Sequence, residues 1–278
     1  MKTAAKIIAA LGALAISLTA CAANSDIHLI SREDGSGTRG AFVELIGIED
    51  ANGNDATAAA AEITNSTAVM LATVAGDKNA IGYVSLGSLS SDVKAIEVDG
   101  AAPTVENIKS GAYKVARPFN VVYKNDSLSV QAKDFLTFIM SAEGQAILAK
   151  AGCIAEDSAP AYSASGVSGK ITISGSTSVA PAMEKLAEAY KALNAGITID
   201  IQQTGSGAGI TAATDGIVDL GMSSRALKTE EAAKLACQTI ATDGIAVIVH
   251  PENTVKGLSS DQVRSIFLGE TTSWTGLR

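Results

Sequence analysis

The chain has 278 residues, of which 47% are hydrophobic and 18% are charged, so it is long enough to bury the core of one or two domains. Its formal net charge of −8 argues against a nucleic-acid partner, which would need a basic surface to contact phosphates. Two histidines and three cysteines are spread through the sequence without close ligand pairs, so we expect no metal site and no cofactor.

The N-terminus has the pattern of a bacterial export signal. Lys2 and Lys6 precede an apolar run over 7–20, which is shorter than the roughly 20 residues of a membrane-spanning helix. The sequence Leu-Thr-Ala-Cys then resembles a lipobox, in which cleavage leaves Cys21 to carry a lipid. We predict a lipoprotein signal peptide at 1–20 and an extracytoplasmic protein anchored to the membrane by its lipid. An ordinary secretory signal is the alternative.

Removal of this signal would change both the charge and the cysteine content of the chain. The remaining residues include 19 basic and 29 acidic side chains, which gives a net charge of −10. Cys153 and Cys237 also remain. In an oxidising compartment they could form a disulfide, but two single cysteines equally suit separate buried positions, and the sequence leaves both possibilities open.

Four strand–turn–helix segments share one pattern, in which an apolar run ends in a cluster of Gly with Ser or Thr and a helical pattern follows soon after. The apolar runs are predicted strands at 27–30, 170–173, 197–201 and 218–222. Three helices are predicted after these turns, at 39–46, 182–193 and 229–236. Alternating strands and helices predict an α/β fold with a largely parallel sheet.

The turns that end these strands have the chemistry of an anion site. Glycine allows a ligand to approach the backbone closely, and helix N-termini present free N–H groups with partial positive charge. Serine and threonine hydroxyls add further donors, so the pattern suits a small oxyanion held without a metal. One such turn alone would usually be a helix cap, but four turns at the same place in the topology favour a binding site.

Other common motifs are missing from the sequence. It contains no G-x-x-x-x-G-K-[ST] segment and no G-x-S-x-G segment, which argues against a P-loop nucleotide site and a serine hydrolase. His28 lies within a predicted apolar strand and His250 at the end of another, so we expect structural roles for both.

The glycine-rich segments resemble those of the phosphate-binding proteins of ABC transporters. The segment Arg-Glu-Asp-Gly-Ser-Gly-Thr-Arg at 32–39 is similar to the arginine-rich anion loop of that family. Segments similar to the family's other turns and strands lie at 173–181, 204–209, 219–225, 79–84 and 241–247. Together they cover nearly all of residues 27–278.

The resemblance implies a fold and a function. The fold would be that of the two-lobed, type II periplasmic-binding proteins, an α/β fold with the ligand in a cleft between the lobes. The protein would capture inorganic phosphate and deliver it to the permease of an ABC transporter, without enzymatic activity. The alternatives are a hydrolase of phosphate esters and a binder or sensor of another oxyanion such as sulfate.

The resemblance also assigns roles to individual residues. Arg32 would be the charged ligand of phosphate, and Asp34 would orient Arg32. The other donors to the anion would be Ser36, Gly37, Thr38, Ser176, Thr177, Ser178, Ser206 and Ser224. Some relatives have an aspartate where this chain has Ser224, and that carboxylate accepts the proton that phosphate carries and sulfate lacks. Asp243 is a candidate substitute acceptor, or it caps the turn before a crossing strand.

The order of the segments differs from the order in the family. Family members begin with the segment that resembles residue 170 onward, and their arginine loop comes in the middle of the chain. Here that loop comes first. We interpret the order as a circular permutation in which the polar stretch 156–169 joins the old termini. A fragment spanning two tandem gene copies is the alternative.

The permutation predicts a division into lobes. One lobe would be split between the chain ends, 27–117 plus 249–278, and would carry the arginine loop. The other would be continuous over 121–247. The two strands that cross between them would lie near 117–123 and 244–250.

Overall fold

The computed structural model describes residues 26–156 and 159–277. The predicted signal peptide and Cys21 lie outside the described residues. Within them, no helix has both the length and the apolar character needed to cross a membrane.

The secondary structure of the described residues alternates between strands and helices over most of the chain. The strands are β1 (His28–Arg32), β2 (Glu62–Thr64), β3 (Ala80–Ser85), β4 (Lys94–Ala95), β5 (Glu97–Val98), β6 (Ala116–Tyr123), β7 (Gly169–Gly175), β8 (Ile197–Gln203), β9 (Leu220–Ser223), β10 (Ala236–Val249) and β11 (Gly257–Leu258). The α-helices are α1 (Gly37–Ile46), α2 (Thr67–Gly76), α3 (Val105–Lys109), α4 (Val130–Ile139), α5 (Ala142–Lys150), α6 (Ala180–Leu193), α7 (Ser206–Thr214), α8 (Thr229–Ala232) and α9 (Ser260–Phe267). The predicted α/β class is confirmed.

The main sheet is mixed rather than largely parallel. Its strand order is β2-β1-β3-β10-β6-β9-β7-β8, and β4 also pairs with β10. The strands on each side are parallel, since β1 pairs in parallel with β2 and β3, and β7 with β8 and β9. At the centre, β10 is antiparallel to β3 and β6, and β6 is antiparallel to β9. The prediction of a largely parallel sheet was wrong at the centre, because β6 and β10 are antiparallel to each other and to their outer neighbours, β9 and β3.

Three of the four predicted strand–turn–helix units form as expected, and the fourth has a shorter helix. Pro181 lies in the first turn of α6, where its missing N–H has no cost. The helix predicted at 229–236 is only α8, a single turn. From Ala236 onward the chain enters β10, where Ala236 pairs with Tyr123 of β6. Pairing with a neighbouring strand outweighs the helical preference of this Lys- and Ala-rich segment.

Buried apolar side chains divide the molecule into two halves. The central half packs α4, α5 and α6 against β7 and includes Phe135 and Tyr190. The terminal half packs α1 and α9 against β3, with Phe42 stacked on Tyr83 at a centroid distance of 4.1 Å and on edge to Phe267 at 4.9 Å. The core residues of the central half lie between Phe119 and Ala241, and those of the terminal half lie at 41–115 and 245–267.

The long strand β10 passes from one core to the other. Ile240 and Ala241 belong to the core of the central half, whereas Ile245 and Val247 belong to that of the terminal half. Strand β10 therefore leaves the core of the central half and enters the core of the terminal half around residues 242–244.

The two ends of the described chain lie side by side. Asp26 forms an antiparallel bridge with Ser273, and the N–H of Ile27 donates to the carbonyl of Thr272 at 2.8 Å. The first and last helices of the described chain also touch, because Arg264 Nε of α9 donates to the carbonyl of Gly47 at the end of α1, at 2.7 Å.

Both cysteines of the described chain are free thiols. Cys153 is buried and Cys237 is exposed, so the disulfide that the sequence left open does not form in this structure. Burial raises the pKa of the Cys153 thiol to about 12, which keeps it in the unreactive protonated form.

Candidate anion-binding site

The arginine loop, residues 32–39, runs from the end of β1 into the first turn of α1. Arg32 ends β1 with only 2% of its surface exposed, and Ser36 and Thr38 are also buried. Gly35 has a φ of +81°, a left-handed conformation that glycine adopts without strain. This turn presents the N-terminus of α1 to the interior.

The Arg32 guanidinium donates hydrogen bonds on two sides, to a carboxylate on one and to two threonine hydroxyls on the other. Its Nε and Nη2 each donate to a different oxygen of the Glu33 carboxylate, both at 2.8 Å. On its other side, Nη1 donates to Thr67 Oγ1 at 3.3 Å and Nη2 to Thr177 Oγ1 at 3.1 Å. Because Thr177 lies in the turn between β7 and α6, Arg32 joins the terminal half to the central half.

The role expected for Asp34 is filled by Glu33. The Asp34 side chain is 99% exposed and faces Arg39, with 3.2 Å between Asp34 Oδ1 and Arg39 Nη1. The prediction that Asp34 orients Arg32 was therefore wrong. The turn at Gly35 leaves Asp34 in solvent, whereas the longer Glu33 side chain reaches the guanidinium.

A row of four hydroxyls links the two halves next to Arg32. Thr38 Oγ1 lies 2.8 Å from Ser178 Oγ, which lies 3.3 Å from Thr67 Oγ1. Thr67 Oγ1 is in turn 3.0 Å from Thr177 Oγ1. Thr67, at the start of α2, was not among the ligands expected from the sequence. The strand–Ser–Thr–helix pattern around it is the signal that could have found it, although no glycine accompanies it.

The third and fourth turns pack directly against the arginine loop. A Cβ atom added at Gly37 would lie 2.3 Å from Ser206 Oγ and 2.6 Å from Ser224 Oγ, so only glycine fits this position. Ser206 Oγ accepts the backbone N–H of Ser224 at 3.1 Å. The N–H of Gly207 donates to the carbonyl of Gly35 at 2.9 Å, which adds a backbone link between the halves.

Two of the predicted ligands cap helices. Ser36 Oγ accepts the N–H of Arg39 at the start of α1, at 3.3 Å. Ser176 Oγ accepts the N–H groups of Ser178 and Val179 before α6, at 3.2 and 3.3 Å. Each hydroxyl is the acceptor in these contacts, so its own proton is still available as a donor.

A second buried arginine, which the sequence analysis did not assign to the site, completes the cluster. Arg117 at the start of β6 donates through Nη1 to Thr38 Oγ1 at 2.8 Å and to the Ser224 carbonyl at 3.0 Å. Its Nη2 donates to Asp243 Oδ2 at 3.2 Å. No local motif marks Arg117, because its place depends on the register between β6 and β10.

Asp243 is a partner of Arg117 rather than a free acceptor. Its Oδ1 accepts Ser85 Oγ at 2.9 Å and the N–H of Gly87 at 3.4 Å, and its Oδ2 accepts Arg117. Burial raises the pKa of Asp243, and the positive charge of Arg117 opposes that rise. Burial also lowers the pKa of Arg117, although a guanidinium keeps its proton throughout the physiological range.

The cluster is thus rich in donors and balanced in charge. Two guanidinium groups are each paired with one carboxylate, and the groups between them are hydroxyls and helix N-termini. Hydroxyls and helix N-termini from both halves meet there, and the halves are hydrogen-bonded across it. Such a buried set of donors can hold a small oxyanion.

The fold and this site define the class of two-lobed solute-binding proteins. A profile of the PBP superfamily domain matches residues 17–143 and 160–276. A crystal structure of a phosphate-binding protein of a phosphate ABC transporter from Streptococcus pneumoniae superposes with a TM-score of 0.73 and 44% identity, covering 91% of this chain and 100% of that one.

Relatives that are similar in sequence identify one family within this class of solute-binding proteins. Phosphate-binding protein PstS 2 of Streptococcus agalactiae serotype V is 53% identical over 256 residues, covering 90% of this chain and 87% of the relative. PstS 2 of Streptococcus pneumoniae serotype 4 is 43% identical over 284 residues, covering 98% and 97%. The chain belongs to the PstS family of phosphate-binding proteins.

Proposed function

We propose that this protein captures inorganic phosphate between its two halves and delivers it to the permease of an ABC phosphate transporter. The observation that carries the proposal is the buried donor cluster, in which Arg32 and the row of hydroxyls join both halves. The names of the related proteins, which include phosphate-binding protein PstS 2, support the same ligand. Closure of the halves around the anion would couple binding to recognition by the permease.

The proposed ligands are those of the arginine loop and the facing turns. Glu33 holds the Nε side of the Arg32 guanidinium, so Arg32 would bind phosphate through the Nη1 and Nη2 N–H groups that contact Thr67 and Thr177 in this structure, and these two groups suit two phosphate oxygens. Backbone N–H groups and hydroxyls would supply the remaining donors, which are Ser36, Gly37, Thr38, Ser176, Thr177, Ser178, Ser206 and Ser224. The net charge of the whole chain does not oppose this, because local dipoles and hydroxyls dominate the field inside a buried site.

We propose binding rather than catalysis because the cluster holds no free base. Both of its carboxylates, Glu33 and Asp243, are paired with guanidinium groups, so neither is placed to activate a hydroxyl or a water. Within the described ranges there is also no group of three His, Cys, Asp or Glu side chains that could hold a metal ion.

We propose that the protein is extracytoplasmic and anchored to the membrane through Cys21. This rests on the basic, apolar and lipobox-like segments of the first 21 residues, which lie outside the described residues. An anchor close to the transporter would keep the captured phosphate near its permease.

The order of the segments is best explained by a circular permutation. The bridge between Asp26 and Ser273 supports this, because a circular permutant needs a fold whose natural chain connection lies where the new ends are. The match to S. pneumoniae PstS 2 over 98% of this chain and 97% of that protein supports a permutation over a fragment of two tandem gene copies. We propose a split lobe, 27–117 plus about 245–278, and a continuous lobe, 121 to about 241; the second boundary lies before the expected 247–249 because Ile245 and Val247 pack in the core of the terminal half.

A reordered chain tests this proposal. It would begin at residue 163, join residue 277 to residue 26 through a short Gly/Ser linker, and end at residue 162, so that Tyr162 keeps its contacts with Phe138 and Asp134. We expect it to be a monomer that binds phosphate within about threefold of the original chain, since the joined ends are already neighbours. Size-exclusion chromatography and calorimetry measure both properties. A reordered chain that aggregates or loses phosphate binding would contradict the proposed connection.

A phosphate titration tests the function itself. For the chain produced without its first 20 residues, we expect saturable binding of one phosphate by isothermal calorimetry and an increase in melting temperature with phosphate. Sulfate should compete measurably, because no free carboxylate in the cluster can accept the proton of phosphate and so reject sulfate. Absence of binding at millimolar phosphate would rule out the proposed function. Phosphate binding that sulfate does not weaken at all would show that the site contains another acceptor for the proton of phosphate.

A further inference from the structure

The Arg117–Asp243 pair lies at the junction of the two halves. The two residues face each other across the antiparallel strands β6 and β10, and the exposed fractions of their side chains are 1% and 0%. Burying an ion pair costs several kcal/mol per ion, and apolar residues of similar volume often serve the stability of the fold as well or better. Arg117 Nε, moreover, is buried and has no partner among the described residues. Stability of the fold is therefore a poor explanation for this pair.

The contacts of Arg117 suggest another role. Its Nη1 reaches away from Asp243 to Thr38 Oγ1 in the terminal half and to the Ser224 carbonyl in the central half. Asp243 is itself held by hydrogen bonds from Ser85 and Gly87, so its contact with Nη2 keeps the Arg117 guanidinium in place. Arg117 thereby connects a crossing strand with the turns of both halves.

The direction of the Thr38 hydroxyl follows from this contact. A guanidinium only donates hydrogen bonds, so Thr38 Oγ1 must accept from Arg117 and can use its own proton only toward another group. Ser178 Oγ lies on the other side of Thr38 Oγ1 at 2.8 Å. At the far end of the hydroxyl row, Arg32 likewise donates to Thr67 and Thr177.

Counting protons shows what the row can offer to a ligand. Four hydroxyls carry four protons, but only three contacts join them, between Thr38 and Ser178, Ser178 and Thr67, and Thr67 and Thr177. Three contacts use at most three of the four protons, so at least one proton of the row remains free to donate to a bound oxyanion, and that proton belongs to Thr38 when Ser178 donates to Thr38 Oγ1.

We propose that Arg117 is a positioning residue of the phosphate site, which acts through Thr38 by fixing its hydroxyl as a donor to the anion. Asp243 keeps Arg117 in place. This inference rests on the proposed function, since it concerns the affinity for phosphate.

A double-mutant cycle tests whether Arg117 acts through Thr38. Arg117→Lys keeps a cation for Asp243 but loses the fork that reaches Thr38, and we expect it to weaken phosphate binding about tenfold. Thr38→Val removes the hydroxyl and should cost about as much. If the two residues act through one hydrogen bond, the double variant should also lose about tenfold rather than about a hundredfold.

The same experiment separates the possible failures. If the unsubstituted chain binds no phosphate by calorimetry, the proposed function is wrong and this inference falls with it. If the unsubstituted chain binds, but Arg117→Lys binds within about twofold of it or the losses multiply in the double variant, only the role of Arg117 is overturned.

A second variant removes the pair without leaving a buried charge. Arg117→Met combined with Asp243→Leu replaces both ions by apolar side chains, which buried sites often tolerate without loss of stability. We expect a folded protein, by circular dichroism and thermal melting without phosphate, with the same loss of about tenfold in phosphate affinity. Undiminished affinity of this variant would contradict the proposal.

Discussion

Replacing Arg32 by alanine is expected to weaken phosphate binding by about tenfold or more, because a charge-assisted hydrogen bond contributes roughly 1.5–3 kcal/mol. Arg32 is the guanidinium that reaches from the arginine loop to Thr177 of the central half. Its loss also leaves the Glu33 carboxylate without its partner, close to the anion. Calorimetric titration with phosphate measures the effect.

Two control variants distinguish this effect from a general loss of charge. Lys170→Ala removes one positive charge at the start of β7, at the opposite end of that strand from the turn at Ser176, where the Lys170 side chain is 60% exposed, and should leave phosphate affinity within about twofold. Asp34→Asn should also be silent, because Asp34 is in solvent. Unchanged affinity of Arg32→Ala would remove Arg32 from the site, and a large loss at Asp34 would restore the role first expected for it.

Replacing Gly37 by alanine is expected to weaken phosphate binding strongly while leaving the chain folded. The new Cβ would lie 2.3 Å from Ser206 Oγ and 2.6 Å from Ser224 Oγ, distances that force the arginine loop away from the facing turns. Alanine is itself favourable in a helix, so α1 should still form. We expect a loss of about tenfold or more in phosphate affinity, because the donors of the two halves can no longer converge.

The same helix offers a matched control. Gly40→Ala makes the same chemical change one turn further along α1, where the nearest atom would be Arg225 Cδ at 3.5 Å, an ordinary contact. It should bind phosphate like the unsubstituted chain, and both variants should melt at similar temperatures without phosphate. Equal affinities for Gly37→Ala and Gly40→Ala would show that close packing at Gly37 does not control binding.

Much of the site was accessible to prediction because its chemistry is local. The turn around Gly35 and the turn before α6 each carry their own signal, an apolar run followed by glycine and hydroxyl residues. Such turns place donors at helix N-termini regardless of the rest of the fold. The α/β class followed from the same segments, through their alternation along the chain.

The errors concern features that depend on distant partners. The helix expected at 229–236 gave way to β10, since β6 offered that segment a strand partner. Asp34 and Glu33 are neighbours in sequence with similar chemistry, and only the path of the turn decides which carboxylate meets Arg32. Thr67 was missed because its turn lacks the glycine that marked the others.

The sequence by itself therefore determined the kind of site this protein has: glycine turns, hydroxyls and one arginine at the N-termini of helices, suited to a small anion. Tertiary structure alone decided which groups meet. Arg117 and Asp243 are 126 residues apart and come together only through the register of two antiparallel strands. Local propensity acts over a few residues, whereas strand register is fixed by the packing of the whole sheet, so no segment read alone contains it.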